Sequence, residues 1–226
     1  AMKIFAHRGY SHKYPEMTRV AYQAAIEAGA DGFECDVRLT KDKKVICFHD
    51  ANTKRITGNY KLVSRLTAQE LINDADALTL KELLVMAIDS KKDLLIETKH
   101  PVLSSGAIEK KTIDLINQHK DEIERAGIEV VIISFSYLAV RRVRRSGITA
   151  AKVIRYGLGA IISRSRFIAL NITTLKRYPF LIKAIKADRI YVWTVNSKED
   201  LRWLKNREIY GVITDRPKRA SRILKK

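Results

Sequence analysis

The sequence predicts an α/β fold, a single (β/α)₈ TIM barrel over residues 1–226. Two observations support this prediction. Short apolar runs alternate with stretches of helical periodicity from end to end, and polar side chains recur where the apolar runs stop. Such alternation is typical of a parallel sheet covered by helices. A hydrophobic content of 46% allows one substantial core, so we expect one domain.

Eight apolar segments have the length and composition of buried barrel strands. They cover residues 3–7, 32–36, 94–97, 129–134, 150–154, 168–171, 190–194 and 211–214. Amphipathic stretches follow the strands, and three residues stand where helix N-caps are expected, namely Thr79, Thr173 and Ser197. The predicted helices cover residues 16–28, 80–90, 105–126, 136–146, 157–166, 173–186, 197–206 and 216–224.

A further strand-like segment, residues 43–50, interrupts the alternation. Only a short turn separates it from the second barrel strand, whereas a parallel crossover needs about a dozen residues or more. We therefore predict an antiparallel hairpin that carries His49 towards the carboxylates of the second strand. A turn around residues 41 and 42 would set Glu34 roughly opposite His49 and Asp36 roughly opposite Cys47.

The polar, turn-rich residues 51–78 contain one helical stretch and are expected to form a small insertion at the catalytic rim. Lys and Arg number 43 against 25 Asp and Glu, and the resulting charge of +18 attracts anionic substrates, anionic membranes or nucleic acid. The sequence has no apolar run of membrane-spanning length and no secretory-signal pattern, so we expect a cytoplasmic protein. Cys35 and Cys47 are too few for a disulfide framework and are expected to be free thiols.

Three carboxylates are placed to converge at the mouth of the predicted barrel. Glu34 and Asp36 are two residues apart and therefore share one face of a strand, and Glu97 lies in the next barrel strand. Carboxylates gathered in one mouth repel each other unless a cation neutralises them, and oxygen ligands suit a hard ion. We predict one divalent cation, Mg²⁺ or Ca²⁺. The alternative is that the three are structural residues paired with nearby cations, namely Arg8, Arg38 and Lys99.

His7 and His49 each end an apolar strand. One histidine in such a place is more often structural, but two beside a carboxylate cluster can donate and accept protons near neutral pH. Arg8, next to His7, offers a fork of donors to phosphate oxygens. Trp193 either fills the barrel or forms a wall against the organic part of a substrate.

The motifs of the chain resemble, in order, those of the glycerophosphodiester phosphodiesterase family. They are AHRGYSHKYPEMT, AGADGFECDVRLTKDKKVICFHDANTKRITG, LLIETK, SF at residue 134, VWTVN and GVITDRP. The first two are highly specific, whereas VWTVN and GVITDRP would be weak alone, and the resemblance covers nearly the whole chain. It implies a barrel with a small insertion after the second strand, which hydrolyses glycerophosphodiesters to sn-glycerol 3-phosphate and an alcohol.

The resemblance also implies roles for individual residues. The divalent cation would be bound by Glu34, Asp36 and Glu97, and the paired general acid and base would be His7 and His49. The substrate would be bound by Arg8, Lys99 and Trp193. The implied reaction proceeds by attack of the glycerol 2-hydroxyl on phosphorus and hydrolysis of the resulting cyclic phosphate, and the order in which the histidines act is left open.

Three departures from the family pattern affect the predicted rim. Met17 replaces the usual Asn of the PENT motif, which removes any polar contact made by that side chain, and Lys43 stands at a turn position that usually carries Gly. The insertion at 51–78 is shorter than is usual in the family, which leaves substrate choice open.

Two other functions fit parts of the sequence. A lysophospholipase D or sphingomyelinase D-like enzyme would use the same residues on membrane lipids, but it needs an exposed apolar rim. The loops near the predicted mouth offer Tyr10, Tyr14, Met17, Tyr60 and Leu62 for such a rim. A noncatalytic anion-binding module would explain only the charge. We expect a small glycerophosphodiester as substrate, peripheral contact with anionic membranes and no specific nucleic acid, and the oligomeric state is left open.

Overall fold

The structure, a computed structural model, describes residues 1–99 and 106–226. In these ranges eight parallel strands form a closed barrel in the order β1-β9-β8-β7-β6-β5-β4-β2, and β2 pairs again with β1. The short strand β3 pairs antiparallel with β2 at the outside of the ring. The strands are β1 (Lys3–His7), β2 (Gly32–Leu39), β3 (Val45–Cys47), β4 (Asp93–Thr98), β5 (Val130–Ser134), β6 (Ala150–Ile154), β7 (Phe167–Asn171), β8 (Arg189–Trp193) and β9 (Gly211–Thr214). The predicted (β/α)₈ barrel is confirmed.

Helices surround the barrel. They are α1 (Arg19–Glu27), α2 (Lys54–Thr57), α3 (Ala68–Ala75), α4 (Leu80–Ser90), α5 (Ala107–Gln118), α6 (Lys120–Ala126), α7 (Tyr137–Arg145), α8 (Leu158–Ile162), α9 (Ile172–Arg177), α10 (Leu181–Ala184), α11 (Lys198–Leu204) and α12 (Pro217–Leu224). Among the described residues, no helix combines the length and the apolar character needed to cross a membrane.

Three predicted helices were too long. The helix predicted at 105–126 is divided at His119 into α5 and α6, and residue 105 lies outside the described residues. The helix predicted at 173–186 is divided into α9 and α10 around Pro179, which has no N–H for a helical hydrogen bond. The helix predicted at 157–166 is only the five-residue α8.

Two of the three predicted N-caps are confirmed. The side chains of Thr79 and Ser197 accept hydrogen bonds from backbone N–H groups in the first turns of α4 and α11. Thr173 was wrong, because Asn171 caps α9 and its side chain accepts from the N–H groups of Thr173 and Thr174. An Asn side chain satisfies two otherwise unpaired donors there, and the helix therefore begins one residue earlier than predicted.

Alternate strand residues fill the interior of the barrel. The buried members of this layer are Phe5, Leu95, Val131, Ile133, Ala151, Val153, Ala169, Tyr191 and Ile213. The rings of Phe5 and Tyr191 meet edge to face with centroids 5.7 Å apart. A Cβ added at Gly32 would lie 2.6 Å from the Phe5 ring, so only glycine leaves room for this aromatic side chain. The packed layer forms a floor beneath the mouth.

The hairpin between β2 and β3 differs by one residue from its predicted register. Val37, not Asp36, lies opposite Cys47, and the Phe48 N–H donates to the Asp36 carbonyl at 2.9 Å. The turn has three residues and ends with Lys43, whose backbone is left-handed at φ +59°. A three-residue turn in place of the predicted two-residue turn shifts the strand pairing by one residue. The same shift of one residue applies to the approximate pairing predicted for Glu34 and His49.

The segment 51–78 contains α2, a 3₁₀ turn at Val63–Arg65 and α3. A capping box begins α3, since Thr67 and Glu70 each bind the other's backbone N–H. The segment has a small buried cluster of its own, which packs on the β3 side of the hairpin and consists of Ile46, Phe48, Val63, Leu66, Leu71 and Ala77. This packing holds the segment against the hairpin that carries His49.

Candidate active site

The carboxyl ends of the barrel strands enclose a cavity of about 140 Å³. Its lining includes all of the residues singled out from the sequence, namely His7, Arg8, Glu34, Asp36, His49, Glu97, Lys99 and Trp193. The remaining lining residues are Ile133, Phe135, Val153, Arg155, Thr194 and Ile213. The position agrees with that of active sites in barrel enzymes.

The three carboxylates are brought together by strand register. Asp36 on β2 lies opposite Glu97 on β4, and Glu34 lies opposite His7 on β1. All three residues are almost fully buried, with exposed fractions of 3% for Glu34, 2% for Asp36 and 8% for Glu97. Burial raises the pKa of Glu34 to about 8 and of Glu97 to about 7, and the charge of Asp36 adds to both shifts.

Asp36 differs because two cations flank it. Lys99 Nζ lies 3.2 Å from Asp36 Oδ1 and also contacts Glu97, and Arg8 Nε lies 3.1 Å from Asp36 Oδ2. Burial alone would raise the pKa of Asp36, but the charges of Lys99 and Arg8 hold it below its usual value. The third cation considered from the sequence, Arg38, instead donates to the His49 carbonyl at 2.9 and 2.7 Å.

The carboxylates suit a hard divalent cation by their chemistry. They provide only oxygen donors, and burial together with the charge of Asp36 raises the pKa values of Glu34 and Glu97. Asp36 Oδ2 and Glu97 Oε2 are buried, and each is in an ion pair, with Arg8 Nε and Lys99 Nζ respectively. In the described ranges, no three His, Cys, Asp or Glu side chains are arranged to hold a metal ion as they stand. The ammonium of Lys99, which contacts Asp36 and Glu97, occupies the space between them.

Each histidine is held at Nδ1 by a carboxylate that the sequence analysis did not single out. His7 Nδ1 lies 2.6 Å from Asp215 Oδ1, and His49 Nδ1 lies 2.7 Å from Asp50 Oδ1. A carboxylate at Nδ1 places the ring proton there and leaves Nε2 for proton exchange. His7 Nε2 lies 3.7 Å from Glu34 Oε2, on the cavity side.

The pKa values of the two histidines shift in opposite directions. Burial lowers the pKa of His7, but the charge of Glu34 and the hydrogen bond to Asp215 outweigh it, and the pKa is raised. For His49, burial outweighs the opposing effects of Asp36 and Asp50, and the pKa is lowered. The two imidazoles are therefore in electrostatically different surroundings.

Asp215 is itself well held. Ser11 Oγ donates to its Oδ1 at 2.9 Å, and Asn196 Nδ2 donates to its Oδ2 at 2.7 Å. Burial would raise the pKa of Asp215, but the hydrogen bond from His7 and these donors lower it to about 2. The signal was present in the sequence, because Asp215 belongs to the GVITDRP motif and Asn196 to VWTVN.

A chain of ion pairs joins the insertion to the site. Arg55 on α2 donates to Asp50 at 3.0 Å and contacts Glu16, and Glu16 accepts from Arg8 Nη1 at 3.1 Å. The hydrogen bond from Arg55 is the main cause that lowers the pKa of Asp50 to about 2. Asp50, which binds His49, and Glu16, which binds Arg8, are thus both bound by Arg55 of the insertion.

The side chain of Met17 makes a polar contact. The side chain is buried beneath β2, and its sulfur accepts the Asp36 N–H at 3.4 Å. Its backbone is left-handed at φ +52°, and its N–H donates to the Arg8 carbonyl at 2.9 Å. Asn adopts this conformation more readily than Met, which gives a backbone reason for the usual residue at this position. The thioether thus makes a polar contact of its own with the backbone of β2, and the loss of an Asn contact near Glu16 stays a prediction.

The opposite side of the cavity is aromatic. The Trp193 indole donates to the Ala169 carbonyl at 2.9 Å, and its ring meets that of Phe135 edge to face at 5.9 Å. The Arg155 guanidinium lies 5.5 Å from the Trp193 centroid and 5.9 Å from that of Phe135. This arrangement forms a wall with one cation at its edge, which the sequence analysis missed apart from Trp193.

Carboxylate-supported histidines beside cations, gathered at the carboxyl ends of barrel strands, define a hydrolase that acts on an anionic substrate. Comparison with known proteins makes the class specific. Residues 7–219 match the model of the glycerophosphoryl diester phosphodiesterase family. The chain belongs to this family.

Individual relatives agree with the family match. A glycerophosphodiester phosphodiesterase of Caldanaerobacter subterraneus subsp. tengcongensis is 31% identical, over 99% of this chain and 98% of the relative. The crystal structure of a glycerophosphodiester phosphodiesterase from Thermotoga maritima superposes with a TM-score of 0.80 at 28% identity, covering 96% of both chains. An Oleispira antarctica phosphodiesterase in complex with the product sn-glycerol-3-phosphate has the same fold, with a TM-score of 0.83 at 19% identity over 99% and 97% of the chains.

Proposed function

We propose that the protein hydrolyses glycerophosphodiesters to sn-glycerol 3-phosphate and an alcohol, with His7 and His49 as the general acid and base. The observation that carries this proposal is the convergence of two carboxylate-held histidines on one cavity that also contains three buried carboxylates. The family match supports the reaction class. The product found in the Oleispira antarctica enzyme supports the substrate class.

The polar side of the cavity supplies the groups that an anionic diester requires. Arg8 offers a guanidinium fork and Lys99 an ammonium, and both would bind phosphate oxygens. We infer that Glu34, Asp36 and Glu97 hold one divalent cation, Mg²⁺ or Ca²⁺. When bound, such an ion stabilises negative charge on the phosphoryl group and favours ionisation of a neighbouring hydroxyl.

Proton transfer is assigned to the Nε2 atoms of the two histidines. One Nε2 accepts the proton of the glycerol 2-hydroxyl as that oxygen attacks phosphorus, and the other donates a proton to the alcohol oxygen as its bond to phosphorus breaks. Water then opens the cyclic phosphate with the two roles reversed. Asp215 and Asp50 keep each Nδ1 protonated and fix the ring orientation throughout.

A second candidate function, the lysophospholipase D or sphingomyelinase D-like cleavage of membrane lipids, would use the same polar residues. Of the loop residues expected to form its apolar rim, Tyr60 is exposed, Tyr10, Tyr14 and Leu62 are half-buried, and Met17 is buried. Exposed aromatic residues also lie on the other side of the cavity, after β5 and β6. This observation keeps the lipid-directed reaction as an alternative.

The test is release of glycerol 3-phosphate from glycerophosphocholine by the parent protein and by the variants His7→Ala and His49→Ala. Loss of a general acid or base costs roughly 10²- to 10⁴-fold in turnover, and we expect that loss in both variants. His119→Ala, at the junction of α5 and α6 with its Nδ1 beside the Leu115 carbonyl, is the matched control and should keep the parental rate.

A near-parental rate in either active-site variant would contradict the role proposed for that histidine. Release from lysophosphatidylcholine alone, with none from glycerophosphocholine or glycerophosphoethanolamine, would favour the lipid-directed alternative. No release from any of the three diesters by the parent protein would contradict both reactions.

A further inference from the structure

The positive charge of the chain is unevenly distributed. Residues 130–187 contain twelve Lys and Arg and no Asp or Glu. This segment runs from β5 to the residues after α10 and provides three consecutive units of the barrel. A quarter of the chain therefore carries most of the net charge, without acidic residues in the same segment to offset it.

The same segment carries most of the large apolar side chains that are exposed in the described parts of the chain. They are Phe135, Tyr137, Leu138, Tyr156, Ile161, Tyr178 and Phe180, with exposed fractions from 40% to 79%. Exposed apolar residues scattered singly need no explanation, but several together mark a contact surface. We call Phe135, Tyr137, Tyr156, Tyr178 and Phe180 the aromatic rim.

The members of the aromatic rim are linked to each other. A groove of about 810 Å³ is lined by Phe135, Tyr137 and Tyr156. Tyr178 packs against the backbone next to Tyr156, since a Cβ added at Gly157 would lie 3.2 Å from its ring. The rings of Tyr178 and Phe180 meet edge to face at 6.1 Å. The rim is thus one surface rather than separate side chains.

The groove is continuous with the catalytic cavity. Phe135, Val153 and Arg155 line both. Lys152 and Ile154 of β6 and Gly159 of the five-residue helix α8 also line the groove. A binding partner on the aromatic rim would therefore lie directly beside the mouth of the catalytic cavity.

Cations border the aromatic rim. Arg164 and Lys152 line the groove, and the Arg177 guanidinium lies 5.6 Å from the Tyr178 centroid. Aromatic side chains with polar tips, flanked by Lys and Arg, are the composition of surfaces that insert into the headgroup region of a bilayer. Anionic lipids attract such cations, and no acidic residue of residues 130–187 would repel them.

A second basic surface provides a comparison. Between α11 and α12, a depression of about 540 Å³ is lined by Lys198, Arg202, Lys205, Arg219, Arg222, Ile223 and Lys226. Its two helices precede and follow β9, which is three strands from β6 in the barrel order, and its lining contains charge but no aromatic residue. If charge alone attracted the protein to a membrane, this depression would be a favoured contact. A surface that enters the bilayer needs aromatic side chains as well, and the aromatic rim provides them.

We propose that the aromatic rim docks the mouth of the barrel on an anionic membrane surface. Tyr156, Tyr178 and Phe180 enter the headgroup region, and Arg164 and Arg177 contact lipid phosphates. The shared residues Phe135 and Arg155 then hold the catalytic cavity at the bilayer surface. The docking does not depend on hydrolysis, so the two can be tested separately.

The experiment is co-sedimentation of the protein with vesicles of phosphatidylcholine containing about one third phosphatidylglycerol, an anionic lipid. Two variants remove the two parts of the surface, Tyr156→Ser/Phe180→Ser and Arg164→Glu/Arg177→Glu. The control, Arg202→Glu/Arg222→Glu, makes the same change in net charge on the α11–α12 side. Hydrolysis of glycerophosphocholine should be parental in all three, because none of these residues lines the catalytic cavity.

We expect binding of the parent protein that weakens with added salt, and a roughly tenfold or larger loss of partition in both rim variants. The α11–α12 control should stay within about twofold of the parent. Unchanged partition of the aromatic variant would contradict the proposal and assign the binding to charge alone. An equal loss in the control, or no binding of the parent protein, would also overturn it.

Discussion

The two sides of the barrel mouth are built on opposite principles. On the side of β1, β2, β4 and the hairpin, buried carboxylates, histidines and cations constrain one another through charge. On the side of β5, β6 and β8, Phe135 and Trp193 form a wall with Arg155 at its edge. The first side can move protons and stabilise charge, whereas the second can only bind. Changes on the charged side should therefore alter kcat and stability, and changes on the aromatic side should alter KM.

The largest effect is expected at Glu34. Glu34→Gln removes one of the crowded carboxylates, so we expect a loss of roughly 10³-fold or more in turnover, as for other essential electrostatic groups. The fold itself should become more stable in the presence of chelator, by about 1–3 kcal/mol, because burial and Asp36 oppose the charged form of Glu34. Turnover and urea unfolding check the two parts. A less stable Glu34→Gln would contradict the crowding of these carboxylates.

The next effect is expected at Asp215. Asp215→Asn still occupies the space but no longer fixes the protonated Nδ1 of His7, so we expect roughly 10²-fold lower turnover. The pKa of Asp215 is lowered to about 2 in the fold, and its stabilising contribution is therefore present above pH about 4 and lost as the pH falls through about 2.

The measurement is the free energy of unfolding of the parent and of Asp215→Asn between pH about 6 and about 2. The variant should be less stable by about 1–2 kcal/mol at the upper end and equal to the parent at the lower end. Asp188→Asn, which breaks an exposed pair with Arg166, is the control and should change stability by less than about 1 kcal/mol. A difference that persists to pH 2 would mean that the charge of Asp215 is not its cause.

A smaller effect is expected on the aromatic side. Trp193→Phe loses the hydrogen bond to the Ala169 carbonyl and part of the wall, so KM should rise roughly three- to tenfold while kcat changes less than about twofold. Trp203→Phe, in α11 and outside the cavity lining, should leave both constants at parental values. A fall in kcat without a change in KM would mean that Trp193 acts in the chemical steps rather than in substrate binding.

The smallest effect concerns the hairpin that carries His49. Lys43 has φ +59°, which glycine adopts without strain, so Lys43→Gly should stabilise the fold by about 0.5–1 kcal/mol. Lys41→Gly, in the same turn but outside the left-handed region, should instead destabilise it slightly. Equal effects of the two changes in thermal unfolding would contradict the strain at Lys43.

The sequence predicted the order of strands and the convergence of the candidate residues on one cavity, because both follow from local patterns. Apolar runs that end in polar residues place Glu34, Glu97 and His7 at one end of a parallel barrel, and this placement does not depend on the exact bounds of the helices. The hairpin register was missed by one residue because it depends on turn type, and a Lys at the left-handed position gives no signal of it. That all of the chain forms one domain stays a prediction.

Other features depend on contacts between distant parts of the chain. Asp215 lies 208 residues after His7, so its place behind that histidine emerges only when β9 closes the barrel beside β1. The aromatic rim joins residues that follow β5, β6 and α9, which only the folded barrel brings together. Pro179, by contrast, was a readable signal for the break between α9 and α10.

The most direct test of the charged side is a cation titration of protein stripped with chelator. Melting temperature and glycerol 3-phosphate release from glycerophosphocholine should be followed together, in the parent and in Glu34→Gln. We expect the stripped parent to be inactive, and Mg²⁺ or Ca²⁺ to restore its activity and raise its melting temperature, with a much weaker response in the variant. Full activity of the stripped parent, unchanged by either ion, would contradict the cation site formed by Glu34, Asp36 and Glu97.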